Sequence, residues 1–375
     1  MVIGLLKEKL PERRVAMLPE AVKTLTGMNI SVLAESASGL NAYASDDEYK
    51  IAGASILSRK EIIEKSDLLI CIQAPEAEDI SQMRPGQILL AVFNPLVNHQ
   101  LVREFVQKGI TSFSLDILPR TTRAQAMDIL SSMATVSGYK AALAAAVNLP
   151  KFFPMFMTAA GTITPAKVLI LGAGVAGLQA LASSRKLGAV VEVFDVRAAV
   201  KEEVVGLGGK FVDVEGATDD KAAGGYAVEQ SEEFKKRQAQ AIHEHAVKSD
   251  AVICTAQIPG RKAPVLLKKE TVEAMKPGSL IIDLAASTGG NCELTKDNET
   301  VVHNQVRIIG NSTFASEMPS DASKMFGKNV INFLKLFYSN KGEFLLKWED
   351  DLVAGTCVTH AGEIKSDRVK SSMNS

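Results

Sequence analysis

Short apolar runs alternate with amphipathic stretches along most of the chain. VIGLL, ISVLAE, DLLICIQ, QILLAVF and ITSFSLDI read as strands, with helical periodicity between them at 19–27, 46–52, 59–65 and 98–108. A second series begins near residue 167 with KVLILG, VVEVFDV, KFVDV, AVICTA, SLIIDLA and VRIIG. Strand–helix alternation of this kind builds parallel sheets, so the chain is predicted to be α/β with two doubly wound parallel-sheet domains. The stretch 323–338 reads as a strong helix, DLVAGTCVTHAGEI as a closing strand–turn–strand, and the last ten residues as a frayed end. The second series is complete by about 315, so the tail is expected to return to the first domain. That gives a discontinuous domain of 1–135 and 318–375, and a second domain of 136–317. FPMFMTAAGTITPAK (153–167), apolar with a central Gly, reads either as a hairpin used for dimer contact or as an ordinary linker.

One segment departs from the usual surface pattern. In PRTTRAQAMDILSS (119–132), Ala126, Ile129, Leu130 and Met133 fall at helical spacing. Gln125, Asp128, Ser131 and Ser132 then share the opposite face. Solvent faces of helices generally use Lys and Glu, which keep rotamer freedom. Short amides and hydroxyls suit a fixed ligand, though a plain solvated face has the same periodicity. The Ala-rich stretch 138–149 reads as a further helix leading into the second domain.

Composition narrows the function classes. The chain has 375 residues, 46% hydrophobic and 23% charged, with a formal net charge of -1. That is ordinary for a globular protein, and the scattered Lys and Arg give no nucleic-acid footprint. Cys71, Cys254, Cys292 and Cys357 form no C-x-x-C pair, which argues against a disulfide framework or zinc knuckle and fits a reducing cytoplasm. His243 and His245 lie two apart, on different sides of a helix, so no metal site is expected. The N-terminus shows no signal-peptide pattern. The longest uncharged run, VLILGAGVAGLQALASS (168–184), nears the length of a membrane span, but its spaced glycines give a better account.

Those glycines form the strongest motif. Gly172, Gly174 and Gly177 make a G-x-G-x-x-G, with Ala173, Val175 and Ala176 between them. A strand precedes the motif and a helix follows, as a Rossmann dinucleotide-binding domain requires. Gly172 permits the tight turn, Gly174 admits a pyrophosphate to the helix N-terminus, and Gly177 lets helix and strand pack closely. Asp195 ends the next strand, where a carboxylate meets ribose hydroxyls and repels a 2′-phosphate, favouring NAD(H). Arg197, two residues on, argues the other way. Gly224, Gly225 and Tyr226 lie in a long segment without strand pattern, readable as a hinged aromatic lid or as a disordered acidic loop. Thr255, Ala256 and Gln257 follow a strand's carboxyl end, where open α/β sheets bind ligands. Asp283 reads equally as a core carboxylate or a cofactor contact. Arg13 and Arg14 could hold a carboxylate or be surface charge.

PERRVAMLPEAV, RAQAMDILSS, MTAAGT, LGAGVAGLQA, DVRAAVKEE, AGGYA, IPGRKAPVL, MKPGSLIIDLA, GGNC and AGTCV occur in order over about residues 2–360. This series resembles the NAD(H)-binding domain I, or alpha-type subunit, of proton-translocating nicotinamide nucleotide transhydrogenases. The resemblance implies that Arg120, Gln125, Asp128 and Ser131 contact the nicotinamide end of NAD(H), with Tyr139 nearby. It implies that Val196 and the neighbouring Asp195 and Arg197 belong to the nucleotide pocket and that Tyr226 closes on it. It further implies a homodimer, cytoplasmic and held at the inner membrane by partner subunits that carry the proton path and an NADP(H)-binding domain. Alanine dehydrogenases share the fold and the RRVA start and are the alternative. Their substrate-binding Lys and His correspond to Gln73 and Asn94 here, and their Asp falls near Ser287. None of these three is a good proton donor, which speaks against oxo-acid reduction. Gln257 also departs from the resemblance, standing where an apolar residue is expected.

Overall fold

The computed structural model describes residues 1–216, 231–258, 260–338 and 343–374. In chain order the strands are β1 (Val2–Leu5), β2 (Ser31–Glu35), β3 (Ser55–Leu57), β4 (Leu68–Gln73), β5 (Ile88–Val92), β6 (Thr111–Ser114), β7 (Phe156–Thr158), β8 (Gly161–Ile163) and β9 (Lys167–Leu171). They continue as β10 (Val190–Phe194), β11 (Lys210–Phe211), β12 (Ala251–Cys254), β13 (Leu280–Asp283), β14 (Thr300–His303), β15 (Val306–Gly310), β16 (Cys357–His360) and β17 (Glu363–Ile364). The helices are α1 (Pro19–Gly27), α2 (Asp46–Ile51), α3 (Arg59–Lys65), α4 (Ala77–Gln82), α5 (His99–Lys108), α6 (Ile129–Asn148) and α7 (Val175–Lys186). After them come α8 (Lys201–Gly206), α9 (Glu232–Ala246), α10 (Lys269–Ala274), α11 (Pro319–Leu334), α12 (Asp351–Thr356) and α13 (Asp367–Asn374).

The chain divides into Met1–Met133 with Ser316–Ser375, and Ala134–Ala315. The junctions fall two residues earlier than 136 and 318, and the first lies inside the unbroken helix α6. Nothing interrupts α6 between Met133 and Ala134, so the sequence has nothing to mark such a boundary.

In the first unit the sheet order is β17-β16-β6-β5-β4-β1-β2-β3. All pairings from β3 to β6 are parallel, while β16 and β17 add an antiparallel edge. Strand β4 shows why this sheet is covered on both faces. Leu68, Ile70 and Ile72 enter one core, and Leu69 and Cys71 enter the other. A strand buried on both sides reads as a continuous apolar run, as DLLICIQ does.

The second unit has the order β11-β10-β9-β12-β13-β15-β14, parallel except for β14. Val168 and Ile170 of β9 face one core, and Leu169 and Leu171 the other. Strand order reverses at β9, between β10 and β12, which is the switch point where such sheets bind ligands. The hairpin β7–β8 forms its own two-stranded sheet, every residue of it exposed.

Three expectations need correction. Segment 119–133 is not one helix: a 3-10 turn spans Thr122–Met127, Asp128 is extended at ψ 95°, and α6 starts at Ile129. Asp128 interrupts the helix because its carboxylate takes the amide and hydroxyl of Ser131, as a capping side chain does. The buried residues are therefore Ala124, Met127 and Ile129, and Ala126 is exposed. Residues 351–356 are helix, not strand, because Asp350 caps them by accepting from Leu352 and Val353. Only 357–364 form the strand–turn–strand. The C-terminal residues are not frayed: α13 packs fully buried Val369 into the first unit's core.

Candidate functional site

The glycine-rich turn grows directly from β9. Gly172 follows the strand at φ +104°, a left-handed conformation that a side chain would strain. A Cβ at Gly177 would sit 1.8 Å from the Gly172 carbonyl oxygen, so only glycine lets α7 begin this close to the turn. Gly174 is different: a Cβ there meets nothing within 4 Å. The turn thus opens at Gly174, which precedes the first residue of α7, Val175. The N-terminus of α7 carries the partial positive charge that favours a phosphate. Helix α6 approaches the first turn of α7 closely at Gly138, where a Cβ would lie 2.1 Å from the Ala176 carbonyl oxygen. Tyr139, next on α6, is 38% exposed.

Asp195 closes the other side of the turn. Its Oδ2 accepts from the Ala173 amide at 2.7 Å, tying the end of β10 to the glycine-rich loop. Arg197 grips the same carboxylate with its amide and Nε at 2.9 Å on Oδ1, and with Nη2 at 2.8 Å on Oδ2. Val196 between them packs at the edge of a core. The two residues that argue opposite ways in the sequence are therefore one ion pair.

The loop after β12 flanks the same turn. Thr255 donates its hydroxyl to the carbonyls of Leu171 and Gly172 at 3.2 and 3.0 Å. Gln257 is exposed and donates to the Leu284 carbonyl at 2.9 Å, so its amide is anchored to the neighbouring loop. Asp283 is a core carboxylate. It is fully buried and accepts from the amides of Ala285, Asn291 and Cys292 and from the Thr295 hydroxyl. That carboxylate folds the loop which presents Asn291, and Asn291 holds Ala256 and Pro264 in turn. Sequence reasoning does not find Asn291 as a site residue, although GGNC marks its loop. Burial pushes the Cys254 thiol well above its usual range, so this cysteine is no nucleophile. Gly224, Gly225, Tyr226 and Pro259 lie outside the described residues. Ser287 donates its amide to Ser312 and offers no acid.

The first unit carries the second group of polar residues. Arg120 and Gln125 are exposed and Asp128 half-buried, on the extended and 3-10 backbone ahead of α6. Arg123, among them, forms a bidentate pair with Asp350 at 2.7 Å and also contacts Asp351. The Ala126 carbonyl accepts from Asn329 at 2.9 Å and Asn332 at 3.1 Å, both on α11. Ser131 donates to Asp128 at 2.5 Å. The result is a fixed, hydrogen-bonding segment that carries no His, Cys or Lys.

At the carboxyl ends of β4 and β5 stand Gln73 and Asn94, both exposed. Glu8 lies beside β4 and accepts from the amides of Ile72 at 2.5 Å and Gln73 at 3.2 Å. Burial pushes its carboxyl up to about 7 despite those two donors. Arg14 is clamped by Glu12 at 2.8 and 2.6 Å rather than offered to solvent. Burial works to raise the Glu12 carboxyl, but Arg14 more than offsets it and holds it below the usual range. Among the described residues no cluster of metal-ligating side chains occurs.

Known proteins resemble this chain over nearly its whole length. The alanine dehydrogenase/PNT N-terminal domain family matches residues 4–137, and the C-terminal domain family matches 141–367. An NAD(P) transhydrogenase alpha subunit of Rhodospirillum rubrum is 44% identical, with 97% of each chain covered. NAD(P) transhydrogenase subunit alpha of Haemophilus influenzae is 41% identical over 97% of this chain and 71% of its own. The crystal structure of transhydrogenase from Sinorhizobium meliloti superposes with a TM-score of 0.89 at 39% identity, covering 97% of this chain and 100% of that one. An alanine dehydrogenase of Mycolicibacterium smegmatis is more distant, at 27% identity over 98% of this chain and 96% of its own. The chain therefore belongs to the alanine dehydrogenase/PNT family, and its sequence lies nearer the transhydrogenase alpha subunits than the alanine dehydrogenases.

Proposed function

We propose that this chain is the NAD(H)-binding subunit of a proton-translocating transhydrogenase, passing hydride between NADH and NADP+ held on a partner subunit. The observation that carries the reading is the glycine turn Gly172–Gly177, open at Gly174 and tied to Asp195 through Ala173. That arrangement fits a dinucleotide: an amide-lined turn for the pyrophosphate and a carboxylate for the adenosine ribose. When bound, NADH supplies the hydride directly to the nicotinamide ring of NADP+.

The residues of this chain bind and orient. The N-terminus of α7 and the turn hold the phosphates. Thr255, Ala256 and Gln257 border the pocket, held in place by Asn291 and the Leu284 carbonyl. Arg120, Gln125, Asp128 and Ser131, with Tyr139, are assigned to the nicotinamide end. Ring-to-ring transfer requires two rings at near-attack distance and no proton donor, so a segment of anchored amides and hydroxyls suits it. Amino-acid oxidoreduction needs a proton transfer as well. Gln73 and Asn94 cannot supply one.

The proton path and the NADP(H)-binding domain are assigned to membrane subunits, with this chain a homodimer docked on the cytoplasmic face of the inner membrane. No helix among the described residues is long and apolar enough to cross a membrane. The dimer contact is assigned to hairpin β7–β8, whose Phe156, Met157 and Ile163 are exposed. The test is a pair of rate assays on the purified chain. One contains NADH, an NADP+ analogue of distinct absorbance and a separately produced transhydrogenase NADP(H)-binding domain. The other contains NADH, pyruvate and ammonia. Turnover in the first alone is expected, and turnover in the second would overturn the assignment.

A further inference from the structure

We propose that Asn329, with Asn332 beside it, is a positioning residue for hydride transfer: the two asparagines hold the Ala126 carbonyl and so fix the backbone break that sets Gln125 and Asp128 in place. The inference rests on the assignment of Arg120, Gln125, Asp128 and Ser131 to the nicotinamide end. The 3-10 turn Thr122–Met127 gives way to α6 at Asp128, whose ψ of 95° takes the chain out of helical geometry. In a continuous helix the Ala126 carbonyl would accept from the amide four residues on. The break takes that partner away, as a helix end does. Two side chains of α11 replace it: Asn329 donates from Nδ2 at 2.9 Å, and Asn332 from Nδ2 at 3.1 Å.

The support is a firm one. Asn329 and Asn332 lie one turn apart on the same face of α11. Phe326, Val330, Phe333 and Leu334 of that helix are buried in the core cluster that also takes Ala124, Met127 and Ile129. Ser323 accepts the Val15 amide at 2.9 Å, and Gly327 lets the helix lie close against the main chain of Ala16 and Met17. A further tie of the segment, the Arg123 fork on Asp350 and Asp351, has a half-exposed guanidinium that solvent and salt screen. The amides on Ala126 therefore hold the tighter register.

Burial separates this role from stability. Asn329 is 7% exposed, and its Oδ1 has no hydrogen-bond partner among the described residues. A buried acceptor left in that condition costs stability rather than adding to it. The useful end of Asn329 is thus Nδ2, and that end holds Ala126. Asn332 is exposed, and its Oδ1 accepts from Lys335 at 3.4 Å. Each asparagine fills one of the two lone-pair positions on the carbonyl. Ala126 is itself exposed, so its carbonyl can turn to water when both amides are removed. The fold then loses little. What it loses is the register of Gln125, just before Ala126, and of Asp128, just after Met127. Near-attack geometry is sensitive to displacements on the ångström scale, so the loss falls on the rate.

The experiment uses the full chain with a separately produced transhydrogenase NADP(H)-binding domain. It follows melting temperature, NADH affinity by titration calorimetry, and kcat with both nucleotides saturating. Variants are Asn329→Leu, Asn332→Ala and the double variant Asn329→Leu/Asn332→Ala. Leucine keeps the number of side-chain heavy atoms while removing the donor and the unpaired acceptor together. Asn329→Leu is therefore expected to keep or raise the melting temperature and yet to lower kcat, and Asn332→Ala to lower kcat less. The double variant leaves Ala126 with neither amide. It is expected to lose roughly tenfold to a hundredfold in kcat, the scale of an ångström's misplacement, with NADH affinity close to that of wild type. Wild-type kcat in the double variant would overturn the proposal. So would a fall in kcat that only tracks the fraction of folded protein, because the asparagines would then support the fold and nothing else. Absence of turnover by wild type that still binds NADH would instead sink the transhydrogenase reading, and this inference with it.

Discussion

Asn291 holds the main chain of Ala256 from both sides. Its side-chain carbonyl accepts from the Ala256 amide at 3.0 Å, and its Nδ2 donates to the Ala256 carbonyl at 2.9 Å. A third bond runs to the Pro264 carbonyl at 2.8 Å. One fully buried side chain thus fixes the loop that borders the glycine turn. Asn291→Ala leaves those backbone groups without partners, at a cost of about 1–3 kcal/mol for each that stays buried. We expect a lower melting temperature and weaker NADH binding, with added NADH recovering part of the lost stability. Unchanged NADH affinity in a destabilised variant would show that the loop does not touch the nucleotide.

The three glycines of the turn are predicted to separate folding from binding. Gly177→Ala places a carbon against the Gly172 carbonyl and forces α7 away from the turn, so thermal stability should fall together with nucleotide affinity. Gly174→Ala has open space and an ordinary φ of -77°, so the fold should be kept. Its methyl group would stand where the pyrophosphate is proposed to approach. A melting temperature near that of wild type, with NADH affinity lowered roughly tenfold or more, is the expected pair of results. Full NADH affinity in Gly174→Ala would move the pyrophosphate elsewhere.

The legible stretches of this chain are those where one local rule decides. Strands β4, β9 and β13 are buried on both faces, so their apolar runs are continuous and mark a parallel sheet. The glycine turn is readable because each glycine answers a separate steric demand. Residues 119–133 mislead because helical spacing counts apolar positions and is blind to a capping carboxylate. Asp128 takes the amide and hydroxyl of Ser131, and the helix restarts there. The same blindness hides α12 behind the cap at Asp350. Strand β14 escapes notice because it is an edge strand with only its alternate residues half-buried. Asn291 and the Asp195–Arg197 pair depend on side-chain geometry, which spacing along a sequence does not encode.

Glu8 should give the first unit a distinct pH response. Burial raises its carboxyl from 4.5 to about 7 in the fold. The native state therefore binds a proton more tightly than the unfolded chain between those values. Its contribution is fully present below about pH 4.5 and is lost as pH rises through about 7. Relative to wild type, Glu8→Gln is expected to become progressively more stable between about pH 5 and about pH 8 in denaturant titrations. A stability difference that stays flat over that range would mean Glu8 ionises at an ordinary value, with the Ile72 and Gln73 amides outweighing its burial.

Asp128 offers the sharpest division between a structural and a functional role. Its carboxylate caps α6 through Ser131, at 3.0 Å to the amide and 2.5 Å to the hydroxyl. Asn and Asp are comparable caps, whereas Ala in such a position costs about 1 kcal/mol. Asp128→Asn should therefore keep the melting temperature of wild type, and Asp128→Ala should lower it modestly. If Asp128 also orients the nicotinamide end, both changes lower the transhydrogenation rate with a partner NADP(H)-binding domain by an order of magnitude or more. NADH binding, carried mainly by the turn and Asp195, would change little. A rate that follows stability, intact in Asp128→Asn and reduced only in Asp128→Ala, would make Asp128 a helix cap and nothing more. The nicotinamide contacts would then have to be sought among Arg120, Gln125 and Tyr139.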